Sequence, residues 1–179
     1  MLVIKSLALF SLRFFRFALI AAVAVSFNLP SAHSGPLGRG HEGHGPGKKL
    51  PFGEPGKASE TNRTVGVYVD GMKYVLSNNE FEAGETVRFV ILNSSSIVHD
   101  FTLGDAATQR SHRREMETRM ENGAMSGQMN HDDANAVFLK QGEVKEIIWK
   151  FSRPGKFMFA CNIPGHFEAG MFGNLRVNG

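Results

Sequence analysis

The sequence predicts an all-β protein, a β-sandwich carrying one short helical and loop insert. Three observations lead there. Short β-branched and aromatic runs recur at close spacing, each bounded by turn residues. The 20 Gly and 7 Pro point to a loop-rich chain rather than a helical bundle. Fifteen Phe, beside one Trp and two Tyr, can fill one apolar interior. At 179 residues and 42% hydrophobic, the chain can build one core of ordinary size, not two, and no solenoid repeat is present.

Residues 1–34 read as a secretory signal peptide. Lys5, Arg13 and Arg16 precede an apolar run from Phe17 to Val25, no acidic residue occurs, and Ala32 and Ser34 offer a cleavage site. The alternative, a membrane anchor, needs about 20 apolar residues. The run from Phe17 to Leu29 is shorter and is interrupted by Ser26 and Asn28. The expectation is therefore an exported protein with no membrane attachment after cleavage. Cleavage would also remove three basic residues, so the 20 Lys and Arg fall to 20 − 3 = 17, against 17 Asp and Glu. A near-neutral chain without a basic stripe gives no footprint for nucleic acid.

Residues 35–62 are dense in Gly and Pro, lack hydrophobic periodicity, and carry His41 and His44. Such composition buries too little surface to offset its ordering entropy, so a flexible tail is expected, with the folded domain spanning 63–179. The strands follow in order. Thr64 to Val69 ends at the Asp70-Gly71 turn, and Met72 to Leu76 supplies its neighbour. Thr86 to Asn93 (TVRFVILN) is the strongest strand in the chain. Glu143 to Phe151 follows the Gln141-Gly142 turn, Arg153-Pro154-Gly155 leads into Lys156 to Cys161, and Asn174 to Val177 closes the domain. Residues 104–135 break this pattern with charge, four methionines and two histidines. Within them Ala106 to Glu121 lacks Gly and Pro and contains many good helix formers, which predicts a helix.

The chemistry is concentrated near the end. Cys161, His166 and Met171 stand as Cys-x4-His-x4-Met on a loop between two predicted strands. A thiolate, an imidazole and a thioether that converge on one ion suit copper, because the soft sulfurs favour Cu(I) and imidazole tolerates both oxidation states. A second imidazole must come from elsewhere. His99 is the best placed, a few residues beyond the strongest strand and the polar loop from Asn93 to Ser96. Cys161 is the only cysteine, so no internal disulfide can form, and a lone thiol in an oxidising compartment needs an occupant. Singly, each of these residues is ordinary core or loop material, and the order of all four is what carries the reading.

Residues 84–101 (GETVRFVILNSSSIVHDF) and 155–177 (GKFMFACNIPGHFEAGMFGNLRV) resemble the two ligand-bearing segments of the cupredoxins, the type 1 copper proteins. A looser likeness extends over 63–179. With its tail, its Met/His insert and its CNIPGH…GM ending, the chain is similar to a periplasmic branch of that family implicated in copper tolerance. The resemblance implies an eight-stranded Greek-key sandwich with one copper at one end, and it assigns His99, Cys161, His166 and Met171 as the ligands. Many members carry Asn directly after the upstream histidine, where it ties the two ligand loops together. Here Asp100 stands there, and a carboxylate would tend to stabilise Cu(II). Asp100 and Asn162 are thus the expected hydrogen-bonding groups around the ligands.

Several alternatives fall away. A binuclear copper site needs two cysteines, and a multicopper oxidase needs His-x-His pairs that do not occur. The His-x-x-His at His41 and His44 lies in a Gly-rich tail rather than on a helix, unlike a zinc hydrolase. A saturated ligand set without a nucleophile or acid–base pair beside it argues against an enzyme. Two functions remain. One is copper tolerance, in which tail and insert act as accessory copper ligands through His41, His44, His112, Met116, Met120, Met125, Met129 and His131. Packing is the competing account of Met116 and Met120, which stand four apart. The other is electron transfer to a redox protein docking near His166, over Pro164, Phe167, Ala169 and Phe172.

Overall fold

A computed structural model describes residues 47–123 and 133–179. The predicted signal segment, His41, His44, Met125, Met129 and His131 lie outside the described residues.

Ten strands, one α-helix and a 3-10 turn (Ala58–Glu60) are found among them. The strands are β1 (Gly53–Pro55), β2 (Arg63–Asp70), β3 (Lys73–Leu76), β4 (Glu80–Glu82) and β5 (Thr86–Asn93). Then come β6 (His99–Gly104), α1 (Ala106–Glu121), β7 (Ala136–Leu139), β8 (Val144–Phe151), β9 (Gly155–Ala160) and β10 (Phe172–Asn178). They form two five-stranded sheets, ordered β1-β8-β5-β2-β3 and β4-β10-β9-β6-β7. The β2–β5 and β4–β10 pairs are parallel and the others antiparallel.

Alternation along the strands builds the core. Val65, Val67 and Val69 of β2 face inward, as do Val87, Phe89 and Ile91 of β5 and Ile147, Trp149 and Phe151 of β8. They meet Phe101, Leu103, Phe157, Leu175 and Val177 from the second sheet in one cluster. Phe81, Phe89 and Phe151 stack or meet edge to face at its centre, with centroids 5.2–6.4 Å apart.

Two expectations need correction. The ordered domain begins well before residue 63. Phe52 is fully buried, stacks on Trp149 at a centroid distance of 4.9 Å, and leads into β1, which pairs with β8. A single well-placed aromatic therefore anchors a segment whose composition reads as tail. The strand number is ten rather than eight, because β1 and β4 are short strands of three residues each, on opposite sheets.

The predicted helix is present from Ala106 to Glu121, capped by Asp105, whose carboxylate accepts from Thr108 N at 2.8 Å. It packs on β6 and β9. That cover explains why every residue of β6 is buried, on both faces of the strand. The helix face turned inward is mostly polar, with Thr108, Gln109, His112 and Met116 buried. Met116 is fully buried in the core cluster, as its packing account expects. Met120 is exposed.

Candidate metal centre

Strand pairing brings the four candidate ligands to one end of the second sheet. Cys161 follows β9 directly and Met171 directly precedes β10, and the Ala160–Phe172 register sets the two side by side. Cys161 N donates to Met171 O at 3.0 Å, closing the loop between them. Inside it His166 N donates to Ile163 O at 2.9 Å and Met171 N to His166 O at 3.0 Å. Gly165 and Gly170 take φ of +87° and +89°, a left-handed conformation that a side chain would strain, so the tight path needs glycine at both.

His99 opens β6, and β6 lies beside β9 through the Thr102–Ala160 register. The loop before it is braced by Asn93, whose amide donates to Ile97 O at 2.8 Å and Leu139 O at 3.2 Å and whose Oδ1 accepts from Ser95. Ser95 Oγ lies 2.9 Å from His99 Nε2, which turns Nδ1 toward the cysteine. His99 Nδ1 is 4.0 Å and His166 Nδ1 3.3 Å from Cys161 Sγ, with the two rings 5.1 Å apart. The donor atoms of His99, Cys161 and His166 all lie within 4.8 Å of one another. Met171 is buried beside Cys161 in the same core cluster.

Electrostatics prepare this set for a cation. Burial, with the neighbouring imidazole second, holds His99 down to about 4, and burial lowers His166 as well, so both rings are neutral with lone pairs available at neutral pH. Burial pushes the Cys161 thiol up to about 12, with the Asp100 carboxylate acting in the same direction. A thiolate therefore forms here only when a cation draws the proton off. Two neutral imidazoles, one such thiol and a nearby thioether fit copper by donor chemistry. When bound, copper supplies one-electron redox chemistry.

Asp100 is the keystone around the ligands. Its N–H donates to Cys161 Sγ at 3.3 Å, and its fully buried carboxylate accepts from Asn162 N at 3.0 Å and Asn162 Nδ2 at 3.3 Å. Thr102 Oγ1 donates to the same carboxylate at 3.0 and 3.1 Å. Asp100 thus ties the two ligand segments together. The Tyr74 hydroxyl, from the opposite sheet, donates to Asp100 O. Helix α1 is stitched to this network as well: Gln109 Nε2 donates to Thr102 O and its Oε1 accepts from Asn162 Nδ2, each at 2.9 Å. His112 Nε2 lies 3.5 Å from Asp100 Oδ2. His112, named above as an accessory copper ligand of the insert, is thus buried against Asp100. Ser95, Tyr74, Thr102 and Gln109 carry no sequence signal that marks them as site residues, since each is recognised only by what the fold places next to it.

A two-layer β-sandwich with one thiol and two imidazoles converging at one end defines a class, the small single-copper proteins. The family model for copper binding proteins, plastocyanin/azurin family, matches residues 61–178, and the chain belongs to that family. Within the class it is similar to proteins named copper-resistant cuproprotein CopI. That of Rubrivivax gelatinosus is 39% identical over 168 residues, 92% of this chain and 98% of the relative. That of Pseudomonas aeruginosa is 35% identical over 148 residues, 70% of this chain and 82% of the relative. Among solved structures, auracyanin B matches with a TM-score of 0.53 at 20% identity, covering 73% of this chain and 97% of its own. The reduced auracyanin of Roseiflexus castenholzii gives 0.50 at 20% identity, covering 66% and 99%. These two support the sandwich fold alone.

Proposed function

We infer that this chain is an exported copper-tolerance protein that binds and buffers copper at one mononuclear site. His99, Cys161, His166 and Met171 would hold the ion, the Met171 thioether as the weakest donor of the four. The observation that carries this reading is the convergence of one buried thiol and two neutral imidazoles within 4.8 Å. The relatives named for copper resistance, matched over most of their length, support the tolerance role. The basic and apolar N-terminal residues support export to the periplasm.

A second role, electron transfer to a redox protein, is favoured by one observation. Phe172, directly after Met171, and Ile97, two residues before His99, are 44% and 45% exposed, and Phe167 stacks on Phe172 at 4.7 Å. Apolar side chains at the rim of a redox site offer a docking patch.

The test is growth on copper of a strain lacking the gene, complemented with the wild-type or the Cys161→Ala coding sequence. Rescue by the wild type alone, with respiration unaffected, is expected. Equal rescue by Cys161→Ala would overturn the tolerance role of this site.

A further inference from the structure

A second group of metal-ligating side chains lies on the far side of Asp100. His112 Nδ1 is 3.9 Å from Glu115 Oε2 and 3.8 Å from Asp133 Oδ2, and the three donor atoms all fall within 4.8 Å of one another. These separations are too long for hydrogen bonds. They match donors around one ion, because ligand bonds of about 2.0–2.2 Å place two donors at most about 4.4 Å apart. The group is built into the fold: His112 and Glu115 are one helical turn apart on α1, and Asp133 approaches just ahead of β7. His112 is 2% and Asp133 8% exposed, whereas the Glu115 side chain is 31% exposed and opens the group to solvent.

The charges point the same way. Asp100, Glu115 and Asp133 place three carboxylates around one imidazole. Arg119 holds Glu115 through Oε1 at 2.6 Å, which leaves Oε2 as the oxygen turned toward His112. The opposite ring nitrogen completes the pattern. With Nδ1 on an ion, His112 Nε2 would face Asp100 Oδ2 at 3.5 Å, the arrangement in which a carboxylate orients a ligating ring and raises its basicity.

We propose that His112, Glu115 and Asp133 form a second, type 2-like site for a divalent cation, with Cu(II) its strongest natural ligand. One imidazole and two carboxylates are hard and borderline donors, which select Cu(II) over Cu(I) and, among the divalent ions, bind Cu(II) most tightly. The site rests on its own donors and not on the Cys161 centre. It shares Asp100 with that centre, so the same carboxylate both holds Asn162 N and backs His112. Through it, loading at one site changes the field at the other.

The test is a Cu(II) titration of the full mature protein carrying His41→Ala and His44→Ala, which removes the tail imidazoles. Electron paramagnetic resonance reads bound Cu(II) beyond the Cys161-dependent visible band. A further Cu(II) per chain with a nitrogen–oxygen signature is expected. Its affinity should fall by at least the roughly 10–100-fold typical of a lost supporting partner when Glu115→Gln or Asp133→Asn is introduced. Glu115 is partly exposed, so its amide is tolerated by the fold, and an unchanged thermal midpoint of the metal-free variant checks this. No further Cu(II), or a further Cu(II) bound equally in both variants, overturns the proposal. If the visible band itself never forms, the resonance readout still stands, so failure of the Cys161 centre and failure of this site are separate results.

Discussion

Replacing Asp100 by alanine tests whether one buried carboxylate holds the metal end of the sandwich together. The side chain is fully buried and accepts from Asn162 N, Asn162 Nδ2 and Thr102 Oγ1, and it faces His112 Nε2 at 3.5 Å. The Thr102 hydroxyl can rotate to another acceptor, but the Asn162 N–H cannot move, and a buried donor left without a partner costs about 1–3 kcal/mol. The buried imidazolium of His112 also loses a counter-charge, and breaking a buried charged pair costs about 3–5 kcal/mol. Because these effects share one network they do not add, and a total loss of about 3–5 kcal/mol is expected. Asp100→Asn removes the same counter-charge but keeps an acceptor for Asn162 N, so its loss should be smaller than that of alanine by up to the about 1–3 kcal/mol of the unpartnered donor. The assay is urea unfolding of the copper-free protein at pH 6, where His112 is protonated. With a slope of about 2 kcal/mol per molar, the alanine variant should unfold about 2 M earlier at unchanged slope. An alanine variant within about 0.5 kcal/mol of wild type would refute the keystone role.

Three further outcomes follow from the same geometry. Copper-free stability should peak near pH 6.5. His112 is raised, its carboxylate neighbours outweighing burial, so its contribution is fully present below the ordinary histidine pKa and is lost as pH rises through the folded-state value. His99 and His166 are lowered, so their contribution is present above about 6.5 and is lost as pH falls, for His99 toward about 4. His112→Gln should flatten only the alkaline limb in pH-dependent unfolding, and loss of both limbs or neither would contradict the assignment. Phe52→Ala should cost about 3–5 kcal/mol by thermal or urea unfolding, because the ring is fully buried against Trp149 and Phe157, and an unperturbed midpoint would restore a domain start at residue 63. Ser95→Ala frees His99 Nε2 and should weaken copper binding about 10–100-fold in a chelator competition while leaving the fold intact; unchanged affinity would show that the hydroxyl does not orient the ring.

What the sequence made legible divides along physical lines. β2, β5 and β8 were readable because one face of each is buried and their side chains alternate, and the Cys161 to Met171 loop because its ligands lie within one short segment. β6 was not readable. It is buried on both faces, under α1 as well as the core, and its HDFTLG sequence carries site residues where a strand would carry valines. Helix α1 was placed correctly from its helix formers, yet its docking was hidden, because the face it buries is made of Thr108, Gln109 and His112 rather than an apolar stripe. A domain start at residue 63 failed on Phe52, one aromatic in a Gly- and Pro-rich stretch whose partner, Trp149, is about a hundred residues away. Long-range pairs of this kind leave no local pattern.

The central claim is that one copper is held by Cys161 with two imidazoles, and the visible spectrum of the copper-loaded mature protein beside its Cys161→Ala variant tests it most directly. An intense thiolate-to-copper band in the wild type, absent from the variant, is expected, whether the colour is blue or green. A colourless wild type, or a band that survives the loss of Cys161, would contradict it.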